Sequence, residues 1–86
     1  MKTIYKYPLE FDKVQQIELP IDYEMLSAQV QNEKICLWAK VSSTLHKVKR
    51  SIYIYGTGTE IQEDNLSHIG TVQDGIYVWH VFIKEP

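Results

Sequence analysis

Five aromatic residues, Trp38, Tyr53, Tyr55, Tyr77 and Trp79, are the first residues in this chain whose type and spacing suggest chemistry. Each alternates with aliphatic neighbours, which places the five rings opposite the most apolar positions of their strands. If those strands are neighbours, the rings share one surface. Such a surface would stack a planar ligand, at roughly 1–3 kcal/mol per stacked base in nucleic-acid sites. It would equally serve as a protein interface, with Trp38, Tyr77 and Trp79 as anchors, or as ordinary cross-strand pairing. Tyr55-Gly56-Thr57-Gly58-Thr59 follows one of these strands. A threonine between two glycines can present backbone N–H groups to an anion. It lacks the Gly-Lys-Ser/Thr ending of a phosphate loop and the further glycines of the dinucleotide fingerprint. A turn or bulge is the plainer reading.

The basic run His46-Lys47-Val48-Lys49-Arg50 precedes the same strand. Arg50 matters most there, because its planar fork grips phosphate or carboxylate with two hydrogen bonds. Roughly 15–17 Å of strand separates it from Gly56, a span that suits a dinucleotide-sized ligand or two separate contacts. A solvated loop is the simpler account. The candidate ligand residues are therefore Arg50, Tyr53, Tyr55, Gly56, Thr57 and Gly58.

Catalytic and metal chemistry is weakly marked. Cys36 sits inside a predicted strand, where cysteine behaves as a small buried hydrophobe. Glu63, Asp64 and His68 form a loose carboxylate–histidine group with no metal-ligand spacing. His80 lies among apolar neighbours and reads as a satisfied core histidine rather than an acid–base catalyst. These residues predict no enzyme, no resident metal and no cofactor.

The elements that must position these groups follow a period of two. Predicted strands cover 3–7, 14–19, 26–31, 35–41, 50–55, 68–72 and 76–83. In 26–31, Leu26, Ala28 and Val30 point inward; in 35–41, Ile35, Leu37, Ala39 and Val41 do. Asn32-Glu33-Lys34 and Asp74-Gly75 are hairpin turns. Residues 42–49 are a polar loop, and 60–67 carries at most one short helical turn. The fold class is all-β: a small antiparallel sandwich or barrel of about six to seven short strands.

The last strand is apolar on both faces, with Ile76, Val78, His80 and Phe82 on one side and Tyr77, Trp79, Val81 and Ile83 on the other. It needs cover from a second sheet or from a partner subunit, so a homo-oligomer is expected.

Composition bounds the rest. The chain has 86 residues, 44% hydrophobic, with six tyrosines and two tryptophans. That is one domain, 1–86, and a core this small buries only about 60–65% of the unfolded surface. A net charge of −2 argues against long nucleic acid and anionic membranes as partners. The single cysteine fits a reducing compartment. The start of the chain alternates rather than forming a leader, and no apolar run reaches the length of a membrane span. The expected location is the cytoplasm.

Four strings taken together carry a family resemblance: Met1-Lys2-Thr3-Ile4-Tyr5-Lys6-Tyr7-Pro8-Leu9-Glu10, Ile54-Tyr55-Gly56-Thr57-Gly58, His68-Ile69-Gly70-Thr71-Val72 and Val78-Trp79-His80-Val81-Phe82. The chain resembles, from end to end, a family of short proteins encoded by bacteriophages and prophages and described only as a domain of unknown function. It therefore lends no catalytic or binding residues. Members often carry histidine or a similar residue after the glycine motif, where this chain has Thr59. The resemblance implies a non-enzymatic accessory in the host bacterial cytoplasm that counters host defence. One such role is a homo-oligomer sequestering a nucleotide immune signal, a cyclic ADP-ribose derivative or a cyclic dinucleotide. The alternatives are a protein inhibitor of a host defence or metabolic enzyme, and a structural virion accessory.

Overall fold

Alternation is cleanest where two left-handed residues reverse the chain. Asn32 (φ 53°) and Glu33 (φ 65°) form a two-residue hairpin turn of the twist that antiparallel strands favour. They join β3 (Glu24–Gln31) to β4 (Lys34–Val41). Ile35, Leu37, Ala39 and Val41 of β4 are all fully buried, as their spacing predicts. The computed structural model describes residues 1–11, 13–42, 44 and 46–86; Asp12 lies outside them, as do Ser43 and Leu45 of the predicted polar loop.

Among the described residues the chain forms seven strands and no helix. Beside β3 and β4 these are β1 (Thr3–Pro8), β2 (Val14–Pro20), β5 (Lys47–Gly56), β6 (Leu66–Asp74) and β7 (Tyr77–Lys84). They build a three-stranded sheet, β1-β4-β3, and a four-stranded sheet, β2-β5-β7-β6. Every neighbouring pair is antiparallel. The sheets face each other over a core that includes Leu9, Leu19, Leu37, Ile52, Val81 and Ile83. The fold is thus the sandwich of the two predicted alternatives. No helix is long and apolar enough to cross a membrane among these residues.

The structure departs from the predicted elements at three places, each for a tertiary reason. Leu26 does not point inward: the β3–β4 register shifts between Met25 and Ser27. The extra residue of this bulge turns Leu26 outward, 44% exposed, while Met25 packs against the core instead. Residues 47–49 belong to β5 rather than to a loop. They pair with β2, Val48 opposite Leu19 and Lys49 opposite Glu18, which gives the lysine an acidic cross-strand neighbour.

The third departure is 60–67, which holds no helical turn. Because β7 lies between them, β5 and β6 run the same way, so the nine residues 57–65 must return along the whole strand length. Nine extended residues reach about 30 Å, whereas nine helical residues reach about 13 Å. The topology demands extended chain.

Over its second half, both faces of β7 find cover within the chain. Val81 and Ile83 face the core, and Phe82 on the other side meets Tyr55 edge-on at 5.9 Å and His68 at 5.2 Å between ring centroids. At the start of the predicted strand Ile76 and Tyr77 stay 89% and 58% exposed.

At the end of the sandwich holding the β2–β3 link, Asp22 ties three segments together. Its carboxylate accepts from the Lys2 ammonium at 2.8 Å and from the Ser42 backbone N–H at 3.0 Å. These bonds hold its pKa down at about 2. A carboxyl depressed below its unfolded value contributes stability above pH 4 that is lost as pH falls towards 2. Asp22→Asn is expected to lower the thermal midpoint at pH 7 and to flatten its fall between pH 4 and 2. Circular dichroism melts across that range test this; an unchanged slope would refute it.

Candidate functional site

Strand register decides which predicted residues meet. In the β5–β7 pair Tyr53 faces Phe82, Tyr55 faces His80 and Gly56 faces Trp79. Tyr53, Tyr55, His80 and Phe82 therefore share the outer face of the four-stranded sheet. Tyr53 and Tyr55 lie nearly parallel, 6.1 Å apart. Yet Tyr55 is only 4% exposed: the 57–65 crossover covers it, anchored by a Glu63–Lys84 ion pair of 2.6 Å. Burial raises the Tyr55 phenol pKa, and the Lys84 ammonium lowers that of the Glu63 carboxyl.

The other three rings lie elsewhere. Tyr77 and Trp79 share the side of β7 that carries Val81 and Ile83, so they do not oppose the aliphatic face as predicted; Trp79 packs against the core and Tyr77 lies beyond it, exposed. Trp38 belongs to the other sheet, opposite Lys6 on β1. The premise of five rings on neighbouring strands fails because β4 does not pair with β5 or β7. The rings divide among three surfaces.

Arg50 is placed apart from Gly56, Thr57 and Gly58. Its register partner is Ile17, on the side of β5 that carries Ile52 and not Tyr53. Its Nε donates to the Tyr23 hydroxyl at 3.3 Å and its Nη1 to the Lys49 carbonyl at 3.0 Å. The Tyr23 hydroxyl in turn donates to Glu85 at 3.0 Å. Two nitrogens of the fork, Nε and Nη1, are engaged in this way.

Gly56, Thr57 and Gly58 form a closed turn: the Thr59 N–H donates to the Gly56 carbonyl at 3.1 Å, and Gly58 takes the left-handed φ of 90° that glycine tolerates. One amide that an anion would need is thus occupied. The Thr57 hydroxyl lies 2.8 Å from His80 Nε2.

What the turn does border is a cleft. A cavity of about 410 Å³ opens at this end of the sandwich, lined by Phe11, Lys13, Ile54, Tyr55, Gly56, Thr59 and Trp79. Its volume is that of a small-molecule site. The Phe11 and Trp79 rings stand 6.4 Å apart, tilted by 59°. The indole lies over Gly56, where a Cβ would stand 3.4 Å from its Cζ3. Trp79 Nε1 is buried without a hydrogen-bond partner among the described residues, and a buried donor left unpaired costs about 1–3 kcal/mol. Packing holds the ring, including a stack on Tyr77 at 5.8 Å. Lys13 is the cleft's cation and forms no ion pair among the described residues. On its other side a smaller cavity of about 240 Å³ carries Glu60 and Glu63, which disfavours an anion there.

Of the predicted ligand residues, Tyr55 and Gly56 line the main cleft and Thr57 a neighbouring one of about 350 Å³ with Ile76, Tyr77 and Trp79. Thr59, the last residue of the glycine string, lines the main cleft too. The sequence does not mark Phe11 and Lys13, since nothing local identifies a link residue as the wall of a cavity closed by a distant strand. The group Glu63, Asp64 and His68 does not assemble: Glu63 engages Lys84 and His68 engages Thr71. His80 is half-buried with both ring nitrogens bonded, satisfied but on the outer face rather than in the core. Cys36 is buried.

No curated protein and no solved structure matches this chain. The model of a domain of unknown function, DUF7352, matches residues 1–86, and the chain belongs to that family.

Proposed function

We propose that this chain is a binding protein that holds a planar, anionic ligand of the nucleotide class in the Phe11–Trp79 cleft and releases it unchanged. The observation that carries this reading is the cleft itself: two aromatic side chains in its lining against which a heterocycle can pack and, at Lys13, a cation with no ion-pair partner among the described residues to meet a phosphate. The finer reading is a phage-derived protein that sequesters a cyclic ADP-ribose-type or cyclic dinucleotide immune signal and so counters host defence. Tight binding without turnover would serve that role. A homo-oligomer is kept in the proposal on new ground: β1 is an edge strand with Ile4 and Tyr5 57% and 43% exposed, apolar surface that a second copy would cover.

A second reading, inhibition of a host enzyme, is favoured by the tip of the β6–β7 hairpin. Ile76 and Tyr77 there are 89% and 58% exposed, the kind of projecting apolar pair that seats in a partner's pocket.

Calorimetry and tryptophan fluorescence with a nucleotide panel test the first reading. Saturable binding is expected, with the nucleotide recovered intact after denaturation and Lys13→Ala about tenfold weaker, or roughly 1.4 kcal/mol. Absence of heat and of any fluorescence change at millimolar nucleotide would overturn it, and consumption of the nucleotide would make the protein an enzyme. A host protein co-purifying in stoichiometric amount would select the inhibitor. Light scattering decides the assembly: a monomer would remove the oligomer and leave the cleft.

A further inference from the structure

Away from the cleft, on the outer face of the four-stranded sheet, two imidazoles converge on one hydroxyl. His68 Nε2 lies 3.1 Å from Thr71 Oγ1, and His80 Nδ1 lies 3.2 Å from the same oxygen. In a regular strand residues three apart point to opposite faces. The β6–β7 register shifts between His68 and Gly70, and this bulge brings His68 and Thr71 onto one side. Bulges re-aim side chains in this way next to functional sites.

One hydroxyl joins the two rings. Thr71 Oγ1 has one hydrogen to donate and lone pairs to accept, so it bridges one unprotonated and one protonated ring nitrogen. His80 is oriented from behind by Thr57, whose Oγ1 is 2.8 Å from Nε2. With the His80 proton on Nε2 and donated to Thr57, the Nδ1 lone pair is directed at Thr71. An imidazole held through its other ring N–H by an oxygen is how proteins present a histidine to a metal.

We propose that His68 Nε2 and His80 Nδ1 form a two-histidine site for a divalent late transition-metal ion of the zinc or copper type, to which imidazole is well matched. Metal–nitrogen bonds of about 2.0–2.1 Å require the two rings to close on each other. His68 is exposed and supplies that movement, carrying its proton on Nδ1. Water and the Thr71 hydroxyl complete the coordination, since among the described residues no third histidine, cysteine or carboxylate joins the pair. The site is independent of the nucleotide reading. It would fasten the Thr57 turn to β6 and β7.

Titration of the full chain with zinc chloride, followed by calorimetry and by imidazole ¹⁵N shifts, tests the proposal. One saturable equivalent is expected, with shifts at His80 Nδ1 and His68 Nε2 and none at His46. His68→Ala, on an exposed side chain that leaves the core intact, is expected to weaken binding more than tenfold. Thr57→Val removes the orienting oxygen and is expected to weaken it about tenfold, whereas His46→Ala changes nothing. Absence of saturation up to millimolar zinc would overturn the site. So would affinity unchanged in His68→Ala, or shifts confined to His46.

Discussion

Leu37→Ala is expected to destabilise the fold by about 3 kcal/mol, within the 2–5 kcal/mol that leucine truncation costs in a core that cannot collapse. Leu37 is fully buried at the centre of β4. It is flanked in register by Tyr7 of β1 and Ala28 of β3. Neither neighbour is free to fill the space, because each is fixed by its own ladder. For a chain of 86 residues the whole stability is about 4–13 kcal/mol, so this one change removes a large part of it. The thermal midpoint should fall by roughly 12–24 °C. Leu37→Met, which conserves volume, should cost less than about 1.5 kcal/mol. Urea and thermal denaturation check both. The informative contrast is Leu26→Ala. Alternation alone makes Leu26 the equal of Leu37, whereas the bulge leaves it 44% exposed, so its loss should be worth a small fraction of the same energy. Equal losses at the two positions would refute the bulge.

That contrast marks where the sequence is legible. Ile35, Leu37, Ala39 and Val41, like Ile52 and Ile54, declare their face because burial of one side selects a single parity along an unbroken strand. The two hairpin turns are equally local: Gly75 takes the left-handed φ of 62° that its turn needs. The bulges in β3 and β6 are not local. Each is set by where the two edge strands approach one another, and a bulge inverts every parity assignment on one side of it. The same limit governs the site. Tyr55 and Gly56 are legible as the end of a strand beside a turn. Their neighbours Phe11 and Trp79 join them only through strand order, which places β2 beside β5 and β5 beside β7. Arg50 fails to join for a reason that parity does contain: it shares the side of Ile52, and Tyr53 and Tyr55 take the other. The aromatic surplus thus serves three surfaces, two of which border the main cleft, through Tyr55 and Trp79.

Gly70→Val is the second substitution with a large expected effect, about 2 kcal/mol, and it acts where β6 meets β3. A Cβ on Gly70 would stand 3.3 Å from the Ala28 Cβ, 3.4 Å from the Ala28 nitrogen and 3.6 Å from its carbonyl oxygen. Two of these three atoms are backbone of a paired strand and cannot swing aside. The φ of Gly70 lies outside the left-handed region, so the reason for glycine is room, not conformation. Two effects oppose each other. Replacing a strand glycine limits the unfolded chain and stabilises by about 0.4–1 kcal/mol, whereas overpacking costs about 1–3 kcal/mol. For Gly70→Ala the two nearly cancel, since Ala28 must yield only a few tenths of an ångström. Valine adds two methyl groups to a contact already closed, and the steric cost wins by forcing the sheets apart at this edge. The account is tested by coupling rather than by the single change. Ala28→Gly removes the atom that a Gly70→Ala methyl meets, so the double variant should be more stable than the two single effects predict, by more than 0.5 kcal/mol. Strict additivity in urea denaturation would mean that the close approach of β3 and β6 does not limit residue 70.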